Sequence, residues 1–171
     1  RRNLLYDVDL RMDQRYFLRK GIFGMGLVEL PGLRSLDSNL RIDYPIPSLS
    51  SIELRVQTKG VGIPTFDDPI TSVEVNDIVL DGPEGSILEQ LQDLVRAEDP
   101  DIIYTAKGDS FYLPYLRKRA AENGMELELG RERGERTSRG KSFFTYGRIV
   151  YKPPGHKLRG RVHIDRESSF T

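Results

Sequence analysis

The side chains best suited to chemistry in this chain are carboxylates spread through it, among them Glu53, Asp67, Asp68, Asp109 and Asp165. Several carboxylates gathered in one place hold hard divalent ions, and two such ions can activate a water and stabilise a leaving oxygen together. A single carboxylate does not hold such an ion usefully against water. Other chemistries are poorly supplied. The absence of Cys excludes thiolate zinc sites and a disulfide scaffold, and with only His156 and His163 a His-rich metal site is not expected. No Gly-x-x-x-x-Gly-Lys-Ser/Thr loop occurs, and Gly21, Gly24 and Gly26 do not open a helix after a buried strand. Ser168-Ser169 has no base partner in the sequence. His163 and Asp165 stand two apart on a strand and so share a face, a spacing read as packing rather than as a catalytic pair.

Charge adds a second candidate surface. The formal net charge is zero, but residues 131–161 carry ten Lys and Arg against two Glu, a surplus of eight that the other 140 residues balance. A basic segment on an acidic body suits phosphate groups, and by charge alone it reads equally well as a solvated, Arg-rich hairpin. Phe143, Phe144, Tyr146 and Tyr151 interleave with these cations. Strand alternation turns about half of such rings toward a core and leaves the rest for stacking.

The elements that must position these residues follow from periodicity. Arg15–Leu18 sits on a short helix ending at Gly21, and residues 31–50, with Pro31, Gly32, Pro45 and Pro47, read as a linker with one strand. From Ser51 the alternation of Ile52, Leu54 and Val56 with Glu53, Arg55 and Gln57 predicts a half-buried strand. Ile70–Val75 and Ile78–Leu80 are two more strands around Asn76-Asp77. Ser86 and Glu89 form a capping box, followed by one apolar face of Ile87, Leu88, Leu91, Leu94 and Val95. Ile102–Tyr104 is a short apolar strand, placed at the centre of the sheet, and Leu113, Leu116 and Ala120 line a helix closed by Gly124. Met125–Leu129 is the next strand, and Ser142–Tyr151 and Leu158–Asp165 are two strands joined through Lys152–His156. Three strands, a helix, a strand, a helix and a strand is the order of an RNase H-like α/β domain. The length suits one such domain with an appendage, and no apolar run is long enough to cross a bilayer.

The run Asp99–Ala120 resembles the second exonuclease motif of family B DNA polymerases, an Asn-Gly-Asp-x-Phe-Asp core followed by Pro-Tyr-Leu. Lys107 stands where that motif has Asn, and Tyr112 where it has its metal-binding Asp. Four further stretches are similar to the family in the same order: Tyr6–Ile22, Ser51–Leu54, Gly124–Arg131 and Gly160–Asp165. The group most resembled is the archaeal family B polymerases with inactivated exonuclease motifs. The resemblance implies residues 1–48 as the exit segment of a polymerase N-terminal domain with its linker. It implies 49–171 as an α/β, RNase H-like, 3′–5′ exonuclease-like domain, truncated at its C-terminus, with a mixed sheet, a β-hairpin insertion and a partial β-rich appendage before it. The chain then reads as a fragment of a larger protein.

On this reading the first motif, Asp-x-Glu in the family, is Ser51-Ile52-Glu53, so that only Glu53 survives of the four ligands, and the third motif would fall beyond Thr171. The implied function is a catalytically inactive exonuclease-like domain with a structural or DNA-guiding role in replication or repair. Ser51, Glu53, Lys107 and Tyr112 are its degenerate motif positions. DNA, single-stranded or primer–template, would be met by Lys107, Arg131, Arg133, Arg136, Arg139, Lys141, Arg148 and Lys152. No cofactor is expected in this fragment, whereas the parent would use Mg. The expected partners are DNA and the remaining polymerase domains, with no membrane, and the expected location is the cytoplasm. The alternatives are an active nuclease using Glu53, Asp67 or Asp68, Asp109 and Asp165, and a purely architectural domain docked on the polymerase body or on a replication partner.

Overall fold

The structure, a computed structural model, describes residues 10–24, 26–38, 40, 42–43, 47–60, 62–152 and 155–167, without the side chains at 135, 136, 150 and 152. The expectations placed on residues 6–9, Pro45, Pro153-Pro154 and Ser168-Ser169 lie outside these residues. The chain divides into two units, 1–48 and 49–171.

In the first unit, helix α1 (Met12–Lys20) ends as its sequence predicts. Gly21 takes the left-handed conformation (φ 65°), and the chain reverses with the Gly21 N–H donating to the Leu18 carbonyl and the Ile22 N–H to that of Phe17. Two short strands, β1 (Val28–Glu29) and β2 (Arg34–Ser35), pair antiparallel. Among the described residues this pair is all the β structure the appendage shows, and no α1 side chain is buried.

The second unit is built on a five-stranded mixed sheet. β3 (Ser51–Thr58), β4 (Ile70–Val75) and β5 (Ile78–Asp81) form an antiparallel meander; β6 (Ile102–Thr105) pairs parallel to β3, and β11 (Val162–Asp165) parallel to β6. The order across the sheet is β11-β6-β3-β4-β5. β6 is therefore interior, while β3 holds the centre that the sequence assigned to Ile102–Tyr104. Helix α2 (Glu84–Glu98) and helix α3 (Leu113–Glu122) supply the apolar stripes of the core. Ile52, Leu54, Val56, Val73, Val75 and Ile103 from the strands meet Ile87, Leu88, Leu91, Val95, Leu113 and Leu116 from the helices. Parallel register sets Ile52 beside Ile103 and Leu54 beside Thr105, so these residues share the covered face, and alternation leaves Ser51, Glu53, Arg55 and Tyr104 on the other.

Four local expectations are corrected. Met125–Leu129 is not a strand: Leu127 and Leu129 are buried, but the Glu128 N–H donates to Gln92 Oε1 (2.8 Å) instead of to a neighbouring strand. The fifth strand is β11, reached after an insertion. Ser142–Tyr151 is not one strand but a hairpin, β8 (Lys141–Thr145) with β9 (Arg148–Lys152), because Tyr146 and Gly147 both take positive φ (46° and 75°) and turn the chain back in two residues. Leu158–Asp165 is divided as well: β10 (Gly155–Leu158) pairs antiparallel with β7 (Glu135–Ser138), and only Val162–Asp165 enters the main sheet. Finally, α2 starts at Glu84 with Pro83 before it, and Ser86 accepts a hydrogen bond from Gln90 Nε2 (3.0 Å) rather than capping the helix.

Glu84 does more than begin a helix. Its Oε1 accepts the Ile70 N–H (2.8 Å) and Arg119 Nε (2.7 Å), and its Oε2 accepts from Arg119 Nη2 and Asn123 Nδ2, which joins β4, α2 and α3. Both charged side chains are nearly buried, at 14% and 12% exposure. Burial pushes the carboxyl pKa up, but hydrogen bonds from Arg119, Ile70 and Asn123 outweigh it and leave the pKa below its ordinary value. The stability from this lowered pKa is present above the unfolded-state value and is lost as pH falls through the folded one. Glu84→Gln should therefore cost about 3 kcal/mol at pH 7, the low end for breaking a buried pair. The difference in Tm from the parent should shrink as the pH is lowered through the carboxylate range, which thermal melts at pH 7 and pH 3 would show.

Candidate functional site

The turn between β6 and α3 carries the conspicuous motif, and sterics explain its form. Residues Gly108–Tyr112 make one π-helical turn, with the Phe111 and Tyr112 N–H groups both donating to the Lys107 carbonyl at 2.9 Å. A Cβ on Gly108 would lie 1.8 Å from Thr105 Oγ1 and 2.6 Å from His163 Nε2, so the turn admits no other residue there. Lys107 has φ 60°, a left-handed conformation that suits Asn and that a Lys adopts only under constraint. The constraint is Asp165.

Asp165, at 1% exposure, points into the turn from β11. Its Oδ1 accepts the N–H groups of Lys107 (3.0 Å) and Glu167 (3.0 Å), and its Oδ2 accepts that of Asp109 (2.9 Å). Asp109 in turn accepts the His156 N–H on Oδ1 at 2.6 Å. His163 completes the cluster, with Nε2 2.8 Å from Thr105 Oγ1 and Nδ1 3.3 Å from Asp109 Oδ1. Burial lowers the His163 pKa despite the carboxylates of Asp109 and Asp165 beside it, so the imidazole is neutral at pH 7. The oxygens of Asp109 and Asp165 thus face main-chain amides and an imidazole.

Glu53 lies elsewhere. Asp165 pairs with Thr105, and Thr105 with Leu54, which puts Asp165 on the covered face and Glu53 on the open one. There Glu53 Oε1 takes Arg166 Nη1 at 3.0 Å and Arg55 Nη2 at 3.2 Å, while the Arg166 guanidinium lies 5.2 Å from the Tyr104 ring centre. Ser51 is exposed on the same face. Tyr112 joins an aromatic cluster, its ring edge-on to Phe111 at 5.2 Å, with Phe111 stacked on Tyr115 at 5.2 Å and edge-on to Phe66 at 5.0 Å. Asp67 is paired with Lys118 (2.5 Å), and Asp68 Oδ2 accepts the Thr65 N–H (2.7 Å). Among the described residues no three His, Asp or Glu side chains converge in a way that suits a metal ion. A neutral hydroxyl, a phenol and a carboxylate held by two guanidinium groups do not fit a pair of divalent ions.

The basic residues separate into three groups. Arg139, Lys141 and Arg148 are exposed on or beside the β8–β9 hairpin, and Lys107 is exposed on the turn. Arg133 is 93% exposed, with Glu128 at 3.7 Å. Arg131 is consumed as a clamp: it donates to Asp99 Oδ1 (2.8 Å), the Asp99 carbonyl, Asp101 Oδ1 and the Gly160 carbonyl (each 2.9 Å). The side chains of Arg136 and Lys152 lie outside the described residues. Arg161, counted in the basic surplus, is buried, and it donates to the carbonyls of Pro100 and Val95 and pairs with Asp99 at 3.1 Å. The rings expected to divide between core and solvent do not: Phe143, Phe144, Tyr146 and Tyr151 are all exposed, from 48% to 101%. Ordinary alternation fails here because, among the described residues, β8 and β9 pack chiefly on each other and no element covers a face of the hairpin. Sequence reasoning also missed Arg166, for which its position directly after Asp165 gave no signal.

A sequence profile described as "DNA polymerase family B, exonuclease domain" matches residues 64–171, a span that includes the β6–α3 turn and begins beyond Glu53. A DNA polymerase of Archaeoglobus fulgidus is 37% identical over 176 aligned positions, covering 93% of this chain and 21% of that protein. A DNA polymerase of Pyrococcus glycovorans is 35% identical over 82 positions, covering 48% and 9% respectively. The solved family B DNA polymerase from the hyperthermophilic archaeon Pyrobaculum calidifontis matches with a TM-score of 0.62 at 23% identity, over 94% of this chain and 22% of that one, a likeness of fold. The chain spans about a fifth of the length of the Archaeoglobus relative. Among the described residues no helix is long and apolar enough to cross a membrane.

Proposed function

Since the chain belongs to the exonuclease-domain family of the family B DNA polymerases, we propose that it is a non-cleaving member, which guides DNA beside a polymerase active centre supplied elsewhere in a longer protein. The observation that carries this reading is the fate of the metal-ligand positions. Tyr112 sits in an aromatic cluster, Ser51 offers only a hydroxyl, and Glu53 is neutralised by Arg55 and Arg166 on the sheet face opposite Asp165. The nuclease built from Glu53, Asp67 or Asp68, Asp109 and Asp165 would need carboxylates from both faces of the sheet to converge, and that geometry argues against it. The cytoplasm, rich in thiol reductants, suits a Cys-free chain of this kind. Any Mg that the parent protein uses would serve its nucleotide-transfer centre.

DNA contact in this proposal falls to Lys107, Arg133, Arg139, Lys141 and Arg148, with Arg136 on β7 and Lys152 on β9, and Arg131 is withdrawn from the set. Cations on the hairpin neutralise phosphates, and its exposed rings offer faces on which unpaired bases stack. Binding of a fluorescent oligothymidylate, followed as salt is raised, tests this. Affinity should be weak and should fall with a log–log slope of about 0.7 per phosphate contact. The triple reversal R139E, K141E and R148E should flatten that slope by up to about two. Salt-insensitive binding, or an unchanged slope in the triple variant, would leave the hairpin merely solvated and favour docking on the polymerase body.

A further inference from the structure

The motif residue that this chain keeps is as informative as those it has changed. Asp109 stands at the meeting of three elements: the π turn that contains it, β11 through Asp165, and β10 through His156. β10 is one leg of the β7–β10 ribbon, and the chain between β7 and β10 is the β8–β9 hairpin with its cations and rings. The His156 N–H points away from β7 and into the Asp109 carboxylate at 2.6 Å, a charge-assisted hydrogen bond. Gly155 lies just before His156 on β10, where a Cβ would crowd Ser138 Oγ at 3.1 Å and would only touch Asp109 Oδ2, at 4.0 Å. The carboxylate is itself oriented, since the Asp109 N–H is held by Asp165 and its Oδ1 lies beside the buried His163 ring.

We propose that Asp109 is a positioning residue, a latch that fixes the root of the basic ribbon to the β6–α3 turn and so sets the cations of the hairpin in register with Lys107. The consequence for DNA rests on the guiding role proposed above; the latch itself does not. In this chain the carboxylate, which the active-nuclease alternative would assign to metal, binds a main-chain amide of an inserted ribbon. Other anchors hold the ribbon farther along: Leu158 is buried in the core, and the Arg131 N–H donates to the Arg159 carbonyl at 2.8 Å. The latch acts at the end of β10 nearer the hairpin, so losing it should loosen the ribbon without melting the sheet.

Amide hydrogen exchange with no DNA present tests this on the full chain. In Asp109→Ala the His156 amide and the β7–β10 amides should exchange about tenfold faster, while the β3 and β4 amides stay as in the parent. Asp109→Asn keeps an acceptor oxygen in place and should restore protection to within about twofold of the parent. His156→Pro removes the donor from the other side and leaves the turn untouched; it should loosen the same amides, and it decides the matter if Asp109→Ala fails to fold. Unchanged protection at His156 in Asp109→Ala would overturn the latch. So would a uniform loss across the sheet, which marks a purely structural residue, or an Asn variant as loose as the Ala one. Failure of the parent chain to bind oligothymidylate would count against the guiding role and leave the latch standing.

Discussion

Ile103→Asp should abolish cooperative folding of residues 49–171. Ile103 has no exposed surface and lies in an interior strand, between Ile52 on β3 and His163 on β11. Truncating such a residue already costs about 2–5 kcal/mol. An ionised carboxylate in its place adds several kcal/mol more, because its burial goes uncompensated. His163 offers no relief, since its ring nitrogens are turned toward Thr105 and Asp109. The sum approaches or exceeds the roughly 5–15 kcal/mol that holds a domain of this size together. Val162→Asp is the matched control, placed in the same sheet at 55% exposure, and should shift stability by no more than about 1 kcal/mol. Circular dichroism melts should show a sigmoidal transition for Val162→Asp and none for Ile103→Asp. A soluble, cooperatively melting Ile103→Asp protein would displace Ile103 from the core.

The alternation of Ile52, Leu54 and Val56, and the stripe from Ile87 to Val95, could be read directly from the sequence, because burial on one face leaves a period that the residues must carry. The same rule misleads at Met125–Leu129. Its alternation reports that Leu127 and Leu129 are buried, but not whether a strand lies alongside, and the Glu128 amide is taken by a Gln92 side chain. The true fifth strand is only four residues long and follows the whole inserted ribbon, so its partner β6 is set by long-range contact. Tyr146-Gly147 was a missed turn, whose signal is the Gly at a position with φ 75°.

At the site, the residue types at the proposed ligand positions were legible as residue identities. Which face each carboxylate occupies was not, because it depends on the pairing of Asp165 with Thr105 and of Thr105 with Leu54. Charge counting likewise treated Arg131 and Arg161 as part of a phosphate-binding surface. Their partners Asp99 and Asp101, and the carbonyls of Val95 and Pro100, come from distant positions in the chain.

The other large expected effect is the absence of cleavage. Hydrolysis of a phosphodiester by two metal ions needs both ions held in place at once. Here Tyr112 is committed to Phe111, and Glu53 is shared by Arg55 and Arg166. Placing carboxylates at the proposed ligand positions with Ser51→Asp and Tyr112→Asp should give some metal affinity but little turnover, because a divalent ion must still compete with Arg55 and Arg166 for Glu53. The most direct measurement is release of labelled nucleotides from the 3′ end of single-stranded DNA by the unaltered chain, with magnesium and then with manganese. We expect no release above the protein-free background with either ion, together with salt-sensitive retention of the intact strand. Manganese-dependent release that disappears in Glu53→Gln would contradict the account and establish a working nuclease.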